Sequence, residues 1–279
     1  MKRILFLLVA LCITVPSFAT MQMSERLIVG RDTLSMFAWP LEYVDSTRRV
    51  RLDERLKEAD VPVNTACWRG YVGCWRLEKG QLWLERVYNC KDESLFTAGE
   101  LFPEWAEGGR VRASWFSGEI CYGRGEAICY ERRAVLEKEW TATVEAGKVG
   151  LARHFRNRAY KRGVDLQENH LRLCEAFDRL GPTDSLPPFL AFFVHFAADS
   201  TGRPVRILQS TLFLARDSIL TDPSDPLMQR ARRAFMESTR WDACWVHGAW
   251  RESYCFLPLR RGSAPWKPLS LIHISEPTR

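Results

Sequence analysis

Apolar residues follow the period of β-strands through most of the middle of the chain. Residues 69–77 and 81–88 are rich in aromatic and aliphatic residues, and the Lys79-Gly80 turn between them predicts a hairpin. Further short runs of this kind, divided mainly by glycine-containing turns, lie at 110–116, 119–122, 127–133, 134–144 and 148–155. We therefore predict a meander of about six or seven short strands. The preceding residues, 20–64, predict only a short helix, at 52–59.

The last third of the chain changes from strand periodicity to helix periodicity. The apolar run 189–197 and the run 203–211 flank a turn at 199–202, which predicts a second hairpin. Asp225-Pro226 predicts the start of a helix, because aspartate caps a helix N-terminus and proline fits its first position. Apolar residues recur at helical spacing from there, and Trp241 ends the helix.

A final strand at 250–257 completes the order β-β-α-β. Ahead of this region, a predicted helix at 171–180 is followed by residues 181–188, whose glycine and prolines predict a linker. The predicted fold class is therefore α+β. It comprises a β-rich N-terminal meander domain at 20–180 and a small β-β-α-β domain at 189–260.

The first residues have the composition of a cleavable signal peptide. Lys2-Arg3 precedes the apolar run Ile4–Val15, which is too short to span a bilayer as a helix. Small residues at Ser17 and Ala19 match the positions that a signal peptidase reads. We predict a signal peptide at 1–19 and a periplasmic or secreted protein. A short buried helix is the alternative. No later run approaches the ~20 apolar residues of a membrane helix, so the protein is not predicted to span the membrane.

The far end of the chain is set aside, and the charge is modest. Residues 269–279 resemble the translated read-through of a sequencing-library adapter, and we interpret them as an artefact. The chain carries 40 Lys and Arg against 34 Asp and Glu, and without its two ends the excess is about +4. Basic clusters lie at Arg153–Arg162 and Arg230–Arg233. The first cluster could face anionic lipid or nucleic acid, but a solvated face fits it better and an exported protein seldom meets nucleic acid, so we predict no nucleic-acid partner.

The cysteines predict disulfides rather than a metal site. Eight of the nine cysteines remain after the signal peptide is removed, an even number in an oxidising compartment. Zinc sites usually contain C-x-x-C pairs and the sequence has none, so we predict no metal. Cys121 and Cys129 would face each other if a three-residue loop closed between Gly123 and Ala127, which predicts a bridge between them. Two buried thiols are the alternative.

The sequence offers little support for catalysis. It contains no G-x-S-x-G, no H-E-x-x-H and no glycine-rich phosphate loop. His195 lies in an apolar strand and fits a half-buried structural residue. Glu119, Glu126 and Glu131 could serve as paired carboxylates, and Cys67 could pair with a distant histidine, but ordinary alternation explains the glutamates as well. We predict no catalytic residue and no cofactor.

Residues 194–205, VHFAADSTGRPV, resemble the opening hairpin of the TonB C-terminal domain family. The helix, Trp241 after it, Gly248 and the closing Leu257-Pro258-Leu259 follow the same family order. The resemblance covers residues 189–260 and implies a small α+β module that binds partner proteins, often in the envelope. The middle region, through segments 67–72 and 115–118, is similar to secreted proteins of Bacteroidetes-type bacteria, a likeness that implies no activity.

The leading hypothesis is a non-enzymatic envelope protein that binds a partner protein or peptide. A sheet of three strands covered by one helix has an open edge, where unpaired N–H and C=O groups can add an extended strand. The candidate edge residues are Trp250, Arg251, Glu252, Tyr254 and Phe256. The edge could instead be covered by the first domain or by a second copy of the chain. Alternatives are a secreted hydrolase using Glu119, Glu131 or a reactive cysteine, and a homo-oligomeric subunit with stacked tryptophan-rich faces.

Overall fold

The computed structural model describes residues 22–61, 63–130, 133–182, 186–187, 189–215 and 218–260. The predicted signal peptide, the predicted adapter segment and Glu131 lie outside the described residues. The chain is mixed α/β, with about 22% helix and 47% strand, and sheets dominate it. At this level the predicted fold class is confirmed.

Eighteen strands and four α-helices make up the described chain. The strands are β1 (Glu25–Val29), β2 (Asp32–Met36), β3 (Tyr71–Glu78), β4 (Gln81–Asn89), β5 (Ser94–Thr97), β6 (Ala106–Glu107), β7 (Arg110–Arg112), β8 (Gly118–Tyr130), β9 (Ala134–Glu145), β10 (Lys148–Val149), β11 (Arg153–Arg156), β12 (Arg158–Tyr160), β13 (Ala191–Ala198), β14 (Pro204–Ala215), β15 (Ser218–Leu220), β16 (Ala243–Val246), β17 (Ala249–Trp250) and β18 (Glu252–Pro258). The helices are α1 (Ser46–Glu58), α2 (Ala98–Leu101), α3 (Leu166–Arg179) and α4 (Pro226–Ser238), and 3₁₀ turns span Pro40–Tyr43 and Pro103–Trp105.

The chain folds as two compact units that interleave in sequence. Among the described residues, the first unit comprises 22–124, 133–134 and 139–154, and the second comprises the remainder from 125 onward. The predicted linker at 181–188 does not coincide with this division, because α3 belongs to the second unit and buries Leu173 and Phe177 in its core. Arg230 of α4 also donates hydrogen bonds to the carbonyl oxygens at the end of α3, at 2.8 Å for Phe177 and 2.7 Å for Gly181.

The first unit is built on a sheet that closes on itself. Seven strands follow the order β10-β9-β8-β2-β1-β3-β4, and pairing of β10 with β4 completes a seven-strand barrel. The fully buried side chains of Leu27, Met36, Trp75, Leu84 and Phe102 fill its core. The region before residue 64 therefore contributes the β1–β2 hairpin to the barrel. Strand β1 pairs with β3 in parallel, so the sheet is not the simple meander that was predicted.

The predicted bridge between Cys121 and Cys129 is wrong. Both residues lie on β8, which runs as one strand where a turn was predicted, and neither is disulfide-bonded. At about 3.3 Å per residue, eight residues of strand hold them far beyond disulfide range. The described disulfide instead joins Cys67 to Cys90, whose Cα atoms are 6.2 Å apart. The general prediction of a disulfide is thus confirmed with a different pair.

The second unit packs helices α3 and α4 against a four-stranded antiparallel sheet of order β15-β14-β13-β18. Phe192, Phe196 and Phe235 are fully buried between the layers, and the rings of Phe196 and Phe235 lie 4.9 Å apart. The predicted start of α4 is confirmed. The Asp225 carboxylate accepts hydrogen bonds from the first-turn N–H groups of Leu227 and Met228, at 2.8 and 3.3 Å.

Candidate peptide-binding edge

The five predicted edge residues do not share one strand. Glu252, Tyr254 and Phe256 lie on β18, whereas Trp250 lies on β17 and Arg251 lies between the two strands. The prediction of a continuous strand from residue 250 is therefore corrected.

A tight turn explains the break. His247 and Gly248 both have positive φ, at 51° and 88°, and fold β16 and β17 into a hairpin in which Trp245 pairs with Trp250. The two indole rings are 4.9 Å apart, and the Trp250 ring also packs 5.5 Å from that of Tyr160. The pairing places Trp250 in the three-stranded sheet β12-β16-β17, away from the ladder between β13 and β18.

Strand β18 forms one end of the four-stranded sheet. It pairs with β13 from Glu252 to Pro258 without a register shift. Just beyond, the Leu259 N–H donates to the Leu190 carbonyl oxygen at 2.9 Å, so these two residues form a hydrogen-bonded pair. Hydrogen-bonded and non-hydrogen-bonded pairs alternate along an antiparallel ladder. The backbone N–H and C=O groups of the alternate residues, which include Tyr254, therefore point away from β13.

The outward-pointing residues are Glu252, Tyr254 and Phe256. Within the part of the chain that the structure describes, their backbone groups make no hydrogen bond outside the sheet. The opposite end of the sheet is the shorter β15, which covers part of β14. The longer open edge therefore lies along β18, and it offers three successive donor and acceptor pairs in the spacing that an added strand requires.

An aromatic surface borders this edge on the side of the sheet away from the helices. Phe192, Val194 and Phe196 of β13 face the helices, so Phe193 and His195 face the other way. The His195 ring stacks on that of Tyr254 at 4.1 Å. Other ring pairs on this side are Phe193–Tyr254 at 6.1 Å and Phe213–Phe256 at 5.5 Å. Tyr254 nevertheless stays 49% exposed, so the surface offers ring area to a bound chain.

Polar groups mark one end of the edge. The Glu252 carboxylate lies 2.9 Å from His195 Nε2 and 3.4 Å from an Arg206 guanidinium nitrogen. All three side chains stand on neighbouring strands of the same sheet. The arrangement fixes the Glu252 side chain at the start of β18 and leaves Tyr254 and Phe256 as the apolar part of the edge.

Three of the residues considered for hydrolysis, Glu119, Glu126 and Cys67, lie within the described part of the chain. Glu119 and Glu126 are exposed on β8, and neither lines the two cavities described for the first unit. Cys67 is bonded to Cys90, so its sulfur is not a thiol nucleophile. Within either unit taken alone, the described residues bring no three His, Cys, Asp or Glu side chains together at the spacing of metal ligands.

One buried acid was missed by the sequence interpretation. Glu25 accepts hydrogen bonds from the Trp75 indole at 2.8 Å and from the Gly73 N–H at 2.7 Å. Burial raises the pKa of Glu25 to about 7, against the lowering effects of the Trp75 hydrogen bond and the Arg69 charge. A Cβ at position 73 would stand 2.1 Å from the carboxylate, so Gly73 is the one local signal of this close approach.

None of the described helices has the length and apolar character needed to cross a membrane. Comparison of the chain with models of protein families, with curated proteins and with solved structures gives no match.

Proposed function

We propose that this chain is an exported, non-enzymatic envelope protein that binds an extended segment of a partner protein by adding it as a fifth strand along β18. The observation that carries the proposal is the row of outward-pointing backbone groups at Glu252, Tyr254 and Phe256. An extended chain that pairs with such a row gains main-chain hydrogen bonds, and its alternate side chains gain contacts with one side of the sheet.

The aromatic surface indicates what the added strand would carry. Residues of the partner that fall on the side of Tyr254 and Phe256 would meet exposed ring area, so apolar or aromatic side chains at alternate positions fit best. The partner residues between them would point to the other side of the sheet, where polar side chains fit as well. The partner is therefore an extended segment with alternating character, and Glu252 with its neighbours sets one end of the binding register.

One sequence feature and one structural feature support the proposed export. The predicted signal peptide at 1–19 directs export, and the disulfide between Cys67 and Cys90 fits an oxidising compartment. The hairpin β13–β14, helix α4 and strand β18 succeed one another along the chain with β15, β16 and β17 between them. The resemblance to the TonB C-terminal domain family implies a β-β-α-β order. That resemblance is the basis for proposing an envelope protein as the partner.

A display library of 12-residue peptides, selected on the purified full chain, tests the proposal. Tyr254→Ala removes the ring, and Tyr254→Pro removes the ring together with the outward N–H. Proline is tolerated on an edge where its missing donor faces solvent. We expect the selected peptides to bind Tyr254→Pro at least about tenfold more weakly than Tyr254→Ala, which corresponds to about 1.4 kcal/mol for one lost hydrogen bond.

N-methylation of the best peptide provides the matched control. If the peptide adds as a strand, methyl groups on alternate backbone nitrogens will abolish binding, while those on the intervening nitrogens will be tolerated. Equal affinity for the two Tyr254 variants, or equal tolerance at every nitrogen, would contradict strand addition. Sedimentation of the chain alone checks whether a second copy occupies the edge, which would leave Tyr254→Pro monomeric and the wild type dimeric.

A further inference from the structure

Cys129 and Cys244 meet within the second unit although they are far apart in the sequence. Cys129 lies near the end of β8, and Cys244 lies on β16, the central strand of the three-stranded sheet. The Cys244 sulfur is 3.9 Å from the Ile128 carbonyl oxygen, and the Cys129 side chain hydrogen-bonds to it. Neither residue belongs to the described disulfide, and both are partly exposed.

We propose that Cys129 and Cys244 are a second disulfide site, closed by thiol–disulfide exchange with an oxidised thiol–disulfide oxidoreductase or with oxidised glutathione. The site ties the end of β8 to the middle of β16 within one unit. It is independent of the proposed peptide binding, because neither cysteine lies on β18.

The surroundings of the pair decide which sulfur reacts first. The hydrogen bond from Cys129 lowers the pKa of Cys244, and the positive charge of Lys161 acts in the same direction while burial acts against both. A thiolate is the reactive form in exchange. We therefore assign Cys244 as the attacking residue of the proposed exchange and Cys129 as the resolving residue.

The exchange balances in two steps. The Cys244 thiolate attacks one sulfur of the oxidant's disulfide, which forms a mixed disulfide and releases the oxidant's other sulfur as a thiolate. Cys129 then loses its proton, attacks the Cys244 sulfur and releases the oxidant's second thiolate. The two cysteines lose two protons and two electrons in total, and the oxidant is reduced from a disulfide to two thiols.

Other cysteines of the described chain are poorer candidates. Burial raises the pKa of Cys121 to about 12, and it also raises the pKa of Cys74 and of Cys255. These thiols stay protonated and shielded at neutral pH, which makes them slow in exchange. The contrast between them and Cys244 makes the proposed site specific.

Peptide mapping of the full chain tests the site. The protein is equilibrated with oxidised glutathione, capped with N-ethylmaleimide and digested with trypsin without reduction. Cys129 and Cys244 fall in separate tryptic peptides, 125–132 and 241–251. We expect a single cross-linked species of these two peptides, which is lost in Cys129→Ser and in Cys244→Ser. The matched control Cys255→Ser, on peptide 252–260, keeps it.

Several outcomes would overturn the site. One is that N-ethylmaleimide caps both Cys129 and Cys244 after full oxidation. Others are a glutathione adduct that stays on Cys244 and a disulfide between Cys244 and any cysteine other than Cys129. A cross-link between two chains, visible as a dimer on a non-reducing gel, counts equally against it. The mapping uses wild-type protein, so the result stands even if a serine variant fails to fold.

Discussion

The Trp75 indole N–H donates a 2.8 Å hydrogen bond to the Glu25 carboxylate inside the first unit. The bond holds an acid where water does not reach, since Glu25 is 1% exposed. Burial raises the pKa of this acid to about 7 from an ordinary 4.5. The folded chain therefore binds a proton at Glu25 in a pH range where the unfolded chain releases it.

The first prediction concerns pH and Glu25. Because the folded pKa is raised, protonated Glu25 stabilises the fold fully below pH 4.5, and this stability is lost as pH rises through about 7. The loss between pH 4.5 and 8 is on the order of 3 kcal/mol. Glu25→Gln should flatten that dependence in urea unfolding, whereas the exposed control Glu58→Gln should keep it. An unchanged slope in Glu25→Gln would refute the assignment.

The second prediction concerns the bond between Cys67 and Cys90. These residues are separated by 23 positions, and a loop of that size restricts the unfolded chain by about 3 kcal/mol. Replacing both with serine should lower the free energy of unfolding by that order. The measurement is made in a Cys129→Ser, Cys244→Ser background, so that only one bond changes. Reductant should then destabilise the parent and leave the variant unaffected. A variant as stable as its parent would show that the bond does not form.

The third prediction concerns the cap of α4. Asp225→Ala removes the acceptor for the Leu227 and Met228 N–H groups and should cost about 1 kcal/mol of unfolding free energy. Asp225→Asn keeps an acceptor oxygen and should cost much less. Denaturant titration followed by circular dichroism measures both. Equal losses for the two substitutions would mean that charge, rather than the hydrogen bonds, stabilises this end.

The fourth prediction compares two glycines with similar backbone angles. Gly202 has φ 79° and is buried, and a Cβ there would lie 2.9 Å from the Trp241 carbonyl oxygen. Gly248 has φ 88° with open space around it. Gly248→Ala should therefore cost only the left-handed backbone strain of about 1 kcal/mol, and Gly202→Ala should cost clearly more. Thermal unfolding ranks them, and a reversed order would contradict the close approach.

Features set by neighbouring residues could be predicted from the sequence. Asp225-Pro226 specifies a helix start through its own cap and ring geometry, and α4 begins there. The hairpin β13–β14 likewise follows from two apolar runs and a turn between them. Local chemistry is sufficient in both cases, because each element depends on residues within a few positions of itself.

Features that depend on pairing with residues far away in the chain could not be predicted from the sequence. Gly123 and Gly125 suggest a turn, yet β2 and β9 flank β8 and hold it extended, with Gly125 at φ 95° inside the strand. Glycine in a strand often marks such an irregularity rather than a turn. The burial of Glu25 depends on Trp75 and Gly73 of another strand, and no pattern around residue 25 reveals it.

The edge residues show the same division. Tyr254 and Phe256 lie on the predicted strand, and their spacing is a local property. Trp250 is drawn into a different sheet by its pairing with Trp245, which the turn at His247-Gly248 enforces. A predicted turn therefore requires a test of which strands it joins.

Strands β8 and β9 each contribute residues to both compact units, so the two units alternate along the chain instead of following one another. A single proteolytic cut, whether at 181–188 or elsewhere, cannot release either unit as one uninterrupted polypeptide. Shortening the gene from either end cannot isolate a unit either, because segments of the two units alternate along the sequence. Inheritance of one unit without the other would therefore require its separate segments to be joined to one another after the intervening segments are removed.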